Sequence, residues 1–325
     1  YKERYQIIKH QREAAKLDEI TSIEKYTLQP NSMQVGFITN LKKILAAGEK
    51  RALLISATGT GKTYASAFAM RELGFRRVLF LVHRGQLARQ TRKSYEKVFA
   101  NTVSMGLVGA GYHEYEADYV FATVQTLNRD EHLLQYAKDA FDCIVLDEAH
   151  HVPADTYRKI MDHFTPKLWL GMTATPDKRD DNVEGRNVYE IFNYQIAYEI
   201  RLQQAMEENL LCPFHYFGIT DLSMIGDEEA ARDFNMLTSD ERVRHIVNQA
   251  DYYGYSGDKV KGLIFCSNIK ETEELSAKFN QIINPATGKN FRTVALNGSA
   301  SEQERQDAFE RLAMNEDESS EDRQP

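Results

Sequence analysis

The chain reads as α/β: a parallel sheet flanked by helices, followed by a second, partial α/β unit. Three observations lead there. Apolar runs of strand length recur at Ala52–Ile55, Val78–Val82, Tyr119–Ala122, Cys143–Leu146 and Leu168–Met172. Stretches of helical character separate most of them, which is the spacing that parallel strands joined by crossover helices need. A polar or glycine-rich cluster follows each run: Ser56–Thr63, His83–Gln86, Thr123–Thr126, Asp147–His150 and Thr173–Pro176. In open α/β sheets ligands lie beyond the carboxyl ends of the strands. Five polar clusters in that one topological position predict a single continuous active edge.

The elements before and after that series are read in chain order. The sequence opens on Tyr1 with no initiator Met, and 1–27 is expected to be a connecting helix from an upstream domain. Its stretch Lys2–Glu24 is rich in Lys, Glu, Gln, Arg and Ala, with Ile7, Ile8, Ala15, Leu17 and Ile20 as sparse apolar contacts. Residues 28–212 are expected to form the first domain. After Pro176 comes a polar, turn-rich stretch, Asp177–Gly185, and then an extended or helical passage to Leu211. A partial second domain is expected over 213–314, with strands at His215–Ile219, Gly262–Cys266 and Thr293–Leu296. A charged helical stretch, Asp227–Asn248, is inserted between them. The tail 315–325 holds five acids against one Arg and is expected to be disordered.

Bulk properties narrow the function classes. The 325 residues suffice for two ordinary domains. A net charge of −8 argues against coating nucleic acid by bulk attraction, but leaves room for a local basic groove. No apolar run approaches the ~20 residues that span a bilayer. No charged-then-apolar signal segment is present either, so the expected location is the cytoplasm, with no membrane partner. Cys143, Cys212 and Cys266 are odd in number and far apart, and are read as buried free thiols.

Two motifs carry chemistry. Ser56-Ala57-Thr58-Gly59-Thr60-Gly61-Lys62-Thr63 follows an apolar run and precedes the helix-compatible stretch Tyr64–Leu73. That is the strand–loop–helix setting of a phosphate-binding loop. Its glycines let the backbone wind tightly enough to aim several N–H groups at one phosphate, and the helix N-terminus adds its positive end. Thr58, Gly59, Thr60, Gly61, Lys62 and Thr63 are the candidate ATP-binding residues. Lys62 is set to reach the β- and γ-phosphates, and Thr63 to ligate Mg²⁺. Asp147-Glu148-Ala149-His150 closes its own apolar run, so Asp147 emerges at a strand end as a second Mg²⁺ ligand. Glu148 follows as the group that orients or deprotonates water. Together the two motifs read as a nucleotide triphosphatase. Zinc at His150-His151 lacks further Cys or His at ligand spacing.

The order of motifs resembles the superfamily 2 helicases and translocases with a DEAH-type box, and among them the restriction-enzyme-type branch. That branch holds type I and type III restriction translocase subunits, the excision-repair helicase subunit and helicases fused to a phospholipase-D-like nuclease. The resemblance runs from Leu28 to about Leu312 and implies RecA-like domains. In it, Leu28-Gln29-Pro30 with Met33-Gln34 is similar to the adenine-reading segment, with Gln34 the reader. His83-Arg84-Gly85-Gln86-Leu87 and Thr123-Val124-Gln125-Thr126-Leu127 resemble nucleic-acid-contacting motifs, which implies roles for Arg84, Thr123, Gln125 and Thr126. The residue-level alternative is ordinary loop capping by Thr and Gln. The resemblance casts His150 as a relay of nucleotide state to Gly171-Met172-Thr173-Ala174-Thr175-Pro176, where Thr173 and Thr175 couple the two faces. Phe265-Cys266-Ser267-Asn268 and Leu296-Asn297-Gly298-Ser299 resemble strand-contacting motifs, which implies Ser267, Asn268, Asn297 and Gly298; a plain turn is the alternative at Asn297-Gly298. Tyr252, Tyr253 and Tyr255 are read as packing residues rather than base stackers.

The resulting expectation is an ATP-dependent, Mg²⁺-dependent helicase or translocase, with DNA favoured as track and flanking domains, a nuclease among them, as partners. RNA as track, or a P-loop ATPase that remodels a protein partner, are the alternatives. The family's Gln-x-x-Gly-Arg-x-x-Arg pattern, which carries an arginine finger, is not found in this sequence. Such a finger is worth about 10³–10⁵ in turnover, so the 325 residues are expected to hydrolyse ATP weakly.

Overall fold

The computed structural model describes residues 28–100, 102–152, 155–176, 187–218, 234–253, 261–284 and 288–313. The expected connecting helix at 1–27, the turn-rich stretch 177–185 and the acidic tail 315–325 lie outside the described residues, as do Ile219, all of 227–233 and Tyr255. The chain divides into two compact units, Tyr1–Pro213 and Phe214–Pro325.

The first unit begins with α1 (Ser32–Ala46), whose start is written in a capping box. The Asn31 side chain accepts from the Gln34 N–H, and the Gln34 side chain accepts from the Asn31 N–H, both at 2.9 Å. Two otherwise orphaned donors are thereby satisfied. Then follow β1 (Arg51–Ser56), α2 (Lys62–Leu73), β2 (Val78–Val82) and α3 (Gly85–Phe99). β3 (Met105–Gly109), β4 (Tyr112–His113), β5 (Tyr119–Thr123), α4 (Val124–Leu127), α5 (Asp130–Leu133) and β6 (Cys143–Asp147) continue the chain. A 3₁₀ turn at Ala149–His151, α6 (Asp155–His163), β7 (Leu168–Thr173), α7 (Val188–Ile191), β8 (Ile196–Ile200) and α8 (Leu202–Glu207) complete it.

The eight strands form one sheet in the order β4-β3-β5-β2-β6-β7-β1-β8, parallel except for β4. All five strand runs read from the sequence lie in it. β3, β4 and β8 add to them; their runs are short or interrupted by Gly, Glu and Tyr, which masks the apolar signal. Because side chains alternate across a strand, each strand feeds two cores. Leu54, Phe80, Phe121 and Val145 pack with α1, α2 and α3 on one face. Leu53, Leu79, Ile144 and Trp169 pack with the shorter helices and Phe192 on the other. One close approach requires glycine: a Cβ on Gly171 of β7 would lie 2.5 Å from the Phe192 ring.

The register sets the carboxyl ends of five strands side by side. Val82 pairs with Thr123, Leu81 with Leu146, Asp147 with Met172, and Ile55 with Thr173. Every polar cluster of the first unit therefore opens onto the same edge.

In the second unit the described residues form α9 (Phe234–Leu237), α10 (Asp240–Tyr253), α11 (Ile269–Phe279) and α12 (Glu302–Ala313). A small core joins Val243, Val247, Leu275 and Phe279. The strand expectation is corrected here. The described parts of His215–Ile219, Gly262–Cys266 and Thr293–Leu296 carry no strand, and an isolated bridge joins Ile283 to Asn290. A parallel strand exists only through its ladder partners. These runs have none among the described residues, and Leu263, Ile264 and Phe265 are 65, 51 and 92% exposed. The expectation of buried thiols is corrected as well: Cys143 is buried, but Cys266 is half-buried and Cys212 exposed. Cys212 lies outside any element, past the end of β8, where no sheet covers it.

Candidate nucleotide site and strand-end edge

The loop between β1 and α2 is built as its sequence demands. Gly59 and Gly61 take φ of 90° and 91°, the left-handed region that costs other residues a steric penalty. Thr60 is buried; its hydroxyl donates to the Ala57 carbonyl at 2.7 Å and also meets the Ser56 hydroxyl. Thr58 and Gly59 are exposed at the crest, and Thr63 sits in the first turn of α2. Lys62 folds back under the loop, donating to the Ser56 and Ala57 carbonyls at 2.9 and 3.4 Å. Burial lowers its pKa, while the charges of Glu148 and Asp147 push it back up. Those couplings place the ammonium near both carboxylates.

Gln34 is buried beside the same loop, its Nε2 donating to the Gly61 carbonyl at 3.3 Å. Its Oε1 is engaged in the cap of α1. The residue chosen from sequence as adenine reader thus sits against the phosphate loop, with part of its amide committed to the helix start.

Asp147 closes β6 and faces inward. Burial first, then the neighbouring Glu148 charge, pushes its pKa up to about 6, against a hydrogen bond from the Glu148 N–H and the attraction of Lys62. Glu148 takes φ of 51°, uncommon for a residue with a side chain. This sharp turn from strand into the 3₁₀ turn brings His150 Nδ1 to 3.4 Å from Glu148 Oε2. The same Nδ1 lies 3.0 Å from Thr173 Oγ1, which also accepts from the Thr175 N–H at 3.1 Å. His150 and Thr173 are both buried, and Thr175 is exposed. The His150–Thr173 contact links the Asp-Glu-Ala-His turn to the Thr-Ala-Thr segment. No group of His, Cys, Asp or Glu among the described residues could hold a metal by itself.

Farther along the edge, Arg84 is exposed and stands at the N-cap of α3. Thr123 caps α4: its Oγ1 accepts from the Thr126 N–H at 3.1 Å and lies 2.9 Å from the Thr126 hydroxyl. Gln125 is exposed in that turn. The two Thr hydroxyls are therefore occupied by local capping, while Arg84 and Gln125 project into solvent.

Comparison with known proteins adds to this geometry. Residues 27–178 match the family described as "Type III restriction enzyme, res subunit". The chain is 28% identical over 277 residues to the type I restriction enzyme EcoAI endonuclease subunit of Escherichia coli, covering 76% of this chain and 33% of that one. It is 27% identical over 158 residues to the DNA 3'-5' translocase XPB2 of Sulfurisphaera tokodaii, covering 48% of this chain and 33% of that one. The chain thus spans about a third of the length of these relatives. The solved structure of the ATP-dependent Type ISP restriction-modification enzyme LlaBIII bound to DNA superposes with a TM-score of 0.57 at 20% identity, over 79% of this chain and 22% of that one. The fold is RecA-like. The likeness to restriction-enzyme-type helicases of superfamily 2 lies over residues 27–178.

Outside the matched region, the candidate residues of the second unit serve local structure. Asn268 caps α11, accepting from the Glu271 N–H at 2.9 Å. The Ser267 N–H and hydroxyl donate to Glu271 Oε2 at 2.8 and 2.7 Å. Asn297 Oδ1 accepts from the Ser299 N–H and hydroxyl at 2.9 and 2.6 Å, and Gly298 lies in that turn. In the first unit, the sequence pattern alone gives no role to His83 or Tyr157. Tyr157 is buried, and its hydroxyl lies 2.8 Å from His83 Nε2. A polar residue at a strand end was the signal available for His83; Tyr157 on a helix gave none.

Proposed function

We propose that the chain is the motor part of an ATP-dependent DNA translocase or helicase of the restriction and repair type. The observation that carries this reading is the continuous edge from the phosphate loop through Asp147, Glu148 and the His150–Thr173 contact to Arg84. A nucleotide switch alone needs the first half of that edge. A motor needs both halves, joined.

On this reading 28–212 is the first RecA-like domain and 213–314 part of a second. Thr58 to Thr63 bind the phosphates, Lys62 neutralises their charge, and Gln34 contacts the adenine. Thr63 and Asp147 would hold Mg²⁺, which supplies charge neutralisation across the β- and γ-phosphates when bound. The site suits such an ion, because two adjacent half-buried carboxylates repel each other until a cation is shared. Asp147-Glu148-Ala149-His150 serves as the DEAH box. Glu148 orients the attacking water and takes its proton, and the His150–Thr173 hydrogen bond registers the change. Arg84, Gln125 and the Thr123–Thr126 turn grip backbone phosphates of one strand, helped by the helix N-terminus at Arg84, which has no side-chain cap and favours anions. Ser267, Asn268, Asn297 and Gly298 would contact the same strand. DNA is preferred over RNA because the names of the relatives EcoAI, XPB2 and LlaBIII refer to restriction, DNA translocation and DNA binding. A cytoplasmic setting and a flanking nuclease belong to the same reading.

The test is ATP hydrolysis by the chain and by a version extended into its flanking domains, each with no nucleic acid, duplex DNA, single-stranded DNA or RNA. The reading expects DNA to stimulate hydrolysis most, and the extended protein to be faster, since the arginine-finger pattern is missing here. Stimulation by RNA alone would redirect the assignment to an RNA helicase, and no stimulation by any nucleic acid would favour a protein-remodelling ATPase.

A further inference from the structure

Two side chains that the hydrolytic chemistry leaves unused lie between the carboxylates and the phosphate-facing edge. His83 follows the last residue of β2 and directly precedes Arg84. Its Nε2 lies 2.8 Å from the Tyr157 hydroxyl, and its ring meets the His151 ring edge-on at a centroid distance of 4.3 Å. His151 packs against His150 at 4.1 Å. His150 in turn touches Glu148 Oε2 at 3.4 Å and Thr173 Oγ1 at 3.0 Å. Contacts thus run without a gap from the water-orienting carboxylate to the residue beside the strand grip.

The protonation states favour a fixed arrangement. Burial, then the Arg84 charge, lowers the pKa of His83 and keeps its ring neutral. Burial, then Asp147 and Glu148, raises that of Tyr157 and keeps its hydroxyl protonated. A neutral imidazole offers one donor and one acceptor nitrogen and the phenol can serve either role, so the Tyr157–His83 hydrogen bond is satisfied in either tautomer. The ring of His83 is then held on two sides, by a hydrogen bond from α6 and by the His151 ring.

We propose that His83, clasped between Tyr157 and His151, is a positioning residue that couples the Glu148–His150 pocket to the DNA grip at Arg84. The inference rests on the motor reading above. His150 and His151 share one 3₁₀ turn, so a change in the hydrogen bonds of His150 moves the His151 ring with it. Tyr157 restrains His83 through its hydrogen bond, so that movement displaces the His83 ring together with its backbone. The shift passes into the backbone at Arg84, which is the N-cap of α3. Packed rings that move between discrete arrangements are a physical carrier of coupling.

The experiment measures the dissociation constant of the chain for a fluorescent duplex DNA with and without a non-hydrolysable ATP analogue, alongside ATP turnover without DNA. Coupling between two ligands commonly amounts to about 5–150-fold in affinity. His83→Ala is expected to bring the wild-type coupling to within about two-fold of unity, while leaving nucleotide-free DNA affinity and DNA-free turnover within about two-fold of wild type. Tyr157→Phe, which deletes one hydroxyl and keeps the packing, is expected to lose part of the coupling in the same way. It carries the test alone if His83→Ala fails to fold. Wild-type coupling retained in Tyr157→Phe and in a folded His83→Ala overturns the inference while the motor reading stands. Absence of coupling in the wild-type chain overturns the motor reading, and the inference with it.

Discussion

The strands of the first unit and the apolar runs of the second are alike in composition and opposite in outcome. Val78–Val82 and Leu263–Phe265 are both short apolar runs leading to a polar cluster. The first is fully buried between two parallel partners, Phe80 at 1% exposure. The second has no ladder among the described residues, and Phe265 is 92% exposed. The difference teaches that apolar content supplies the drive to bury a segment, while strand structure comes from neighbours that satisfy its N–H and C=O groups. It also separates the two sets of candidate site residues. Apart from Gln34 on α1, those of the first unit follow strand ends held in register, whereas Ser267, Asn268 and Asn297 are placed by helix caps and turns alone.

The comparison can be broken or sharpened by substitution. The largest effect is expected from Glu148→Gln, which removes the carboxylate proposed as general base. Turnover should fall about 10²–10⁴-fold with ATP affinity little changed. Turnover within a few-fold of wild type would mean that the working carboxylate lies elsewhere. Next, Phe80→Ala is expected to destabilise the first unit by about 3–5 kcal/mol, because the ring packs against Tyr95 and Phe121 at 5.7 and 6.0 Å. Phe265→Ala should shift stability by less than about 0.5 kcal/mol. Calorimetry on the pair checks this, and equal losses would show that the exposed run is covered in solution.

Lys62→Ala should weaken ATP binding by about 10- to 150-fold, the equivalent of one charged hydrogen-bond set at 1.5–3 kcal/mol. Phe265→Ala in the second unit should leave it unchanged, and equilibrium titration with a fluorescent nucleotide distinguishes the two. Gly171→Ala is expected to cost about 1–3 kcal/mol by overpacking, since its Cβ would meet the fully buried Phe192 ring. The counterpart Gly262→Ala meets nothing within 4 Å and should be neutral. A harmless Gly171→Ala would mean that β7 and Phe192 can part without penalty.

The smallest effect concerns Asp142, whose carboxylate accepts from the Arg76 and Arg77 N–H groups at 2.8 and 3.1 Å and from Lys167 at 2.8 Å. Burial opposes the charged form, but these bonds outweigh it and hold the pKa below the usual 3.8. A folded-state pKa below the unfolded one stabilises the fold above the unfolded value, and that stabilisation is lost as pH falls through the folded value. Asp142→Asn should therefore cost roughly 1 kcal/mol near neutral pH. The difference from wild type should vanish in acid below the ordinary carboxylate range. A constant difference at all pH values would show that the carboxylate charge plays no part.

Much of this was legible beforehand because local signals and the global fold agree in the first unit. Gly59, Gly61 and Lys62 declare their loop by residue type alone, since only glycine tolerates the required φ and only a long cation reaches back to a phosphate. Asp147 declares its strand end by the four apolar residues before it. β3, β4 and β8 were less legible: they are short or mixed, and their identity comes from pairing with β5, β3 and β1. The clasp of His83 by Tyr157 and His151 was not legible at all, because its members are separated by 68 and 74 positions with no shared pattern.

By itself, then, the amino-acid order determined the fold class, the five central strands, the phosphate loop and the acidic strand end. Each of these rests on interactions with near neighbours in sequence: apolar alternation, glycine backbone freedom and helix capping. The tertiary structure alone decided which apolar runs became strands, which hydroxyls were taken up by caps, and which rings touched across elements. Those outcomes depend on long-range partners whose availability no local stretch records.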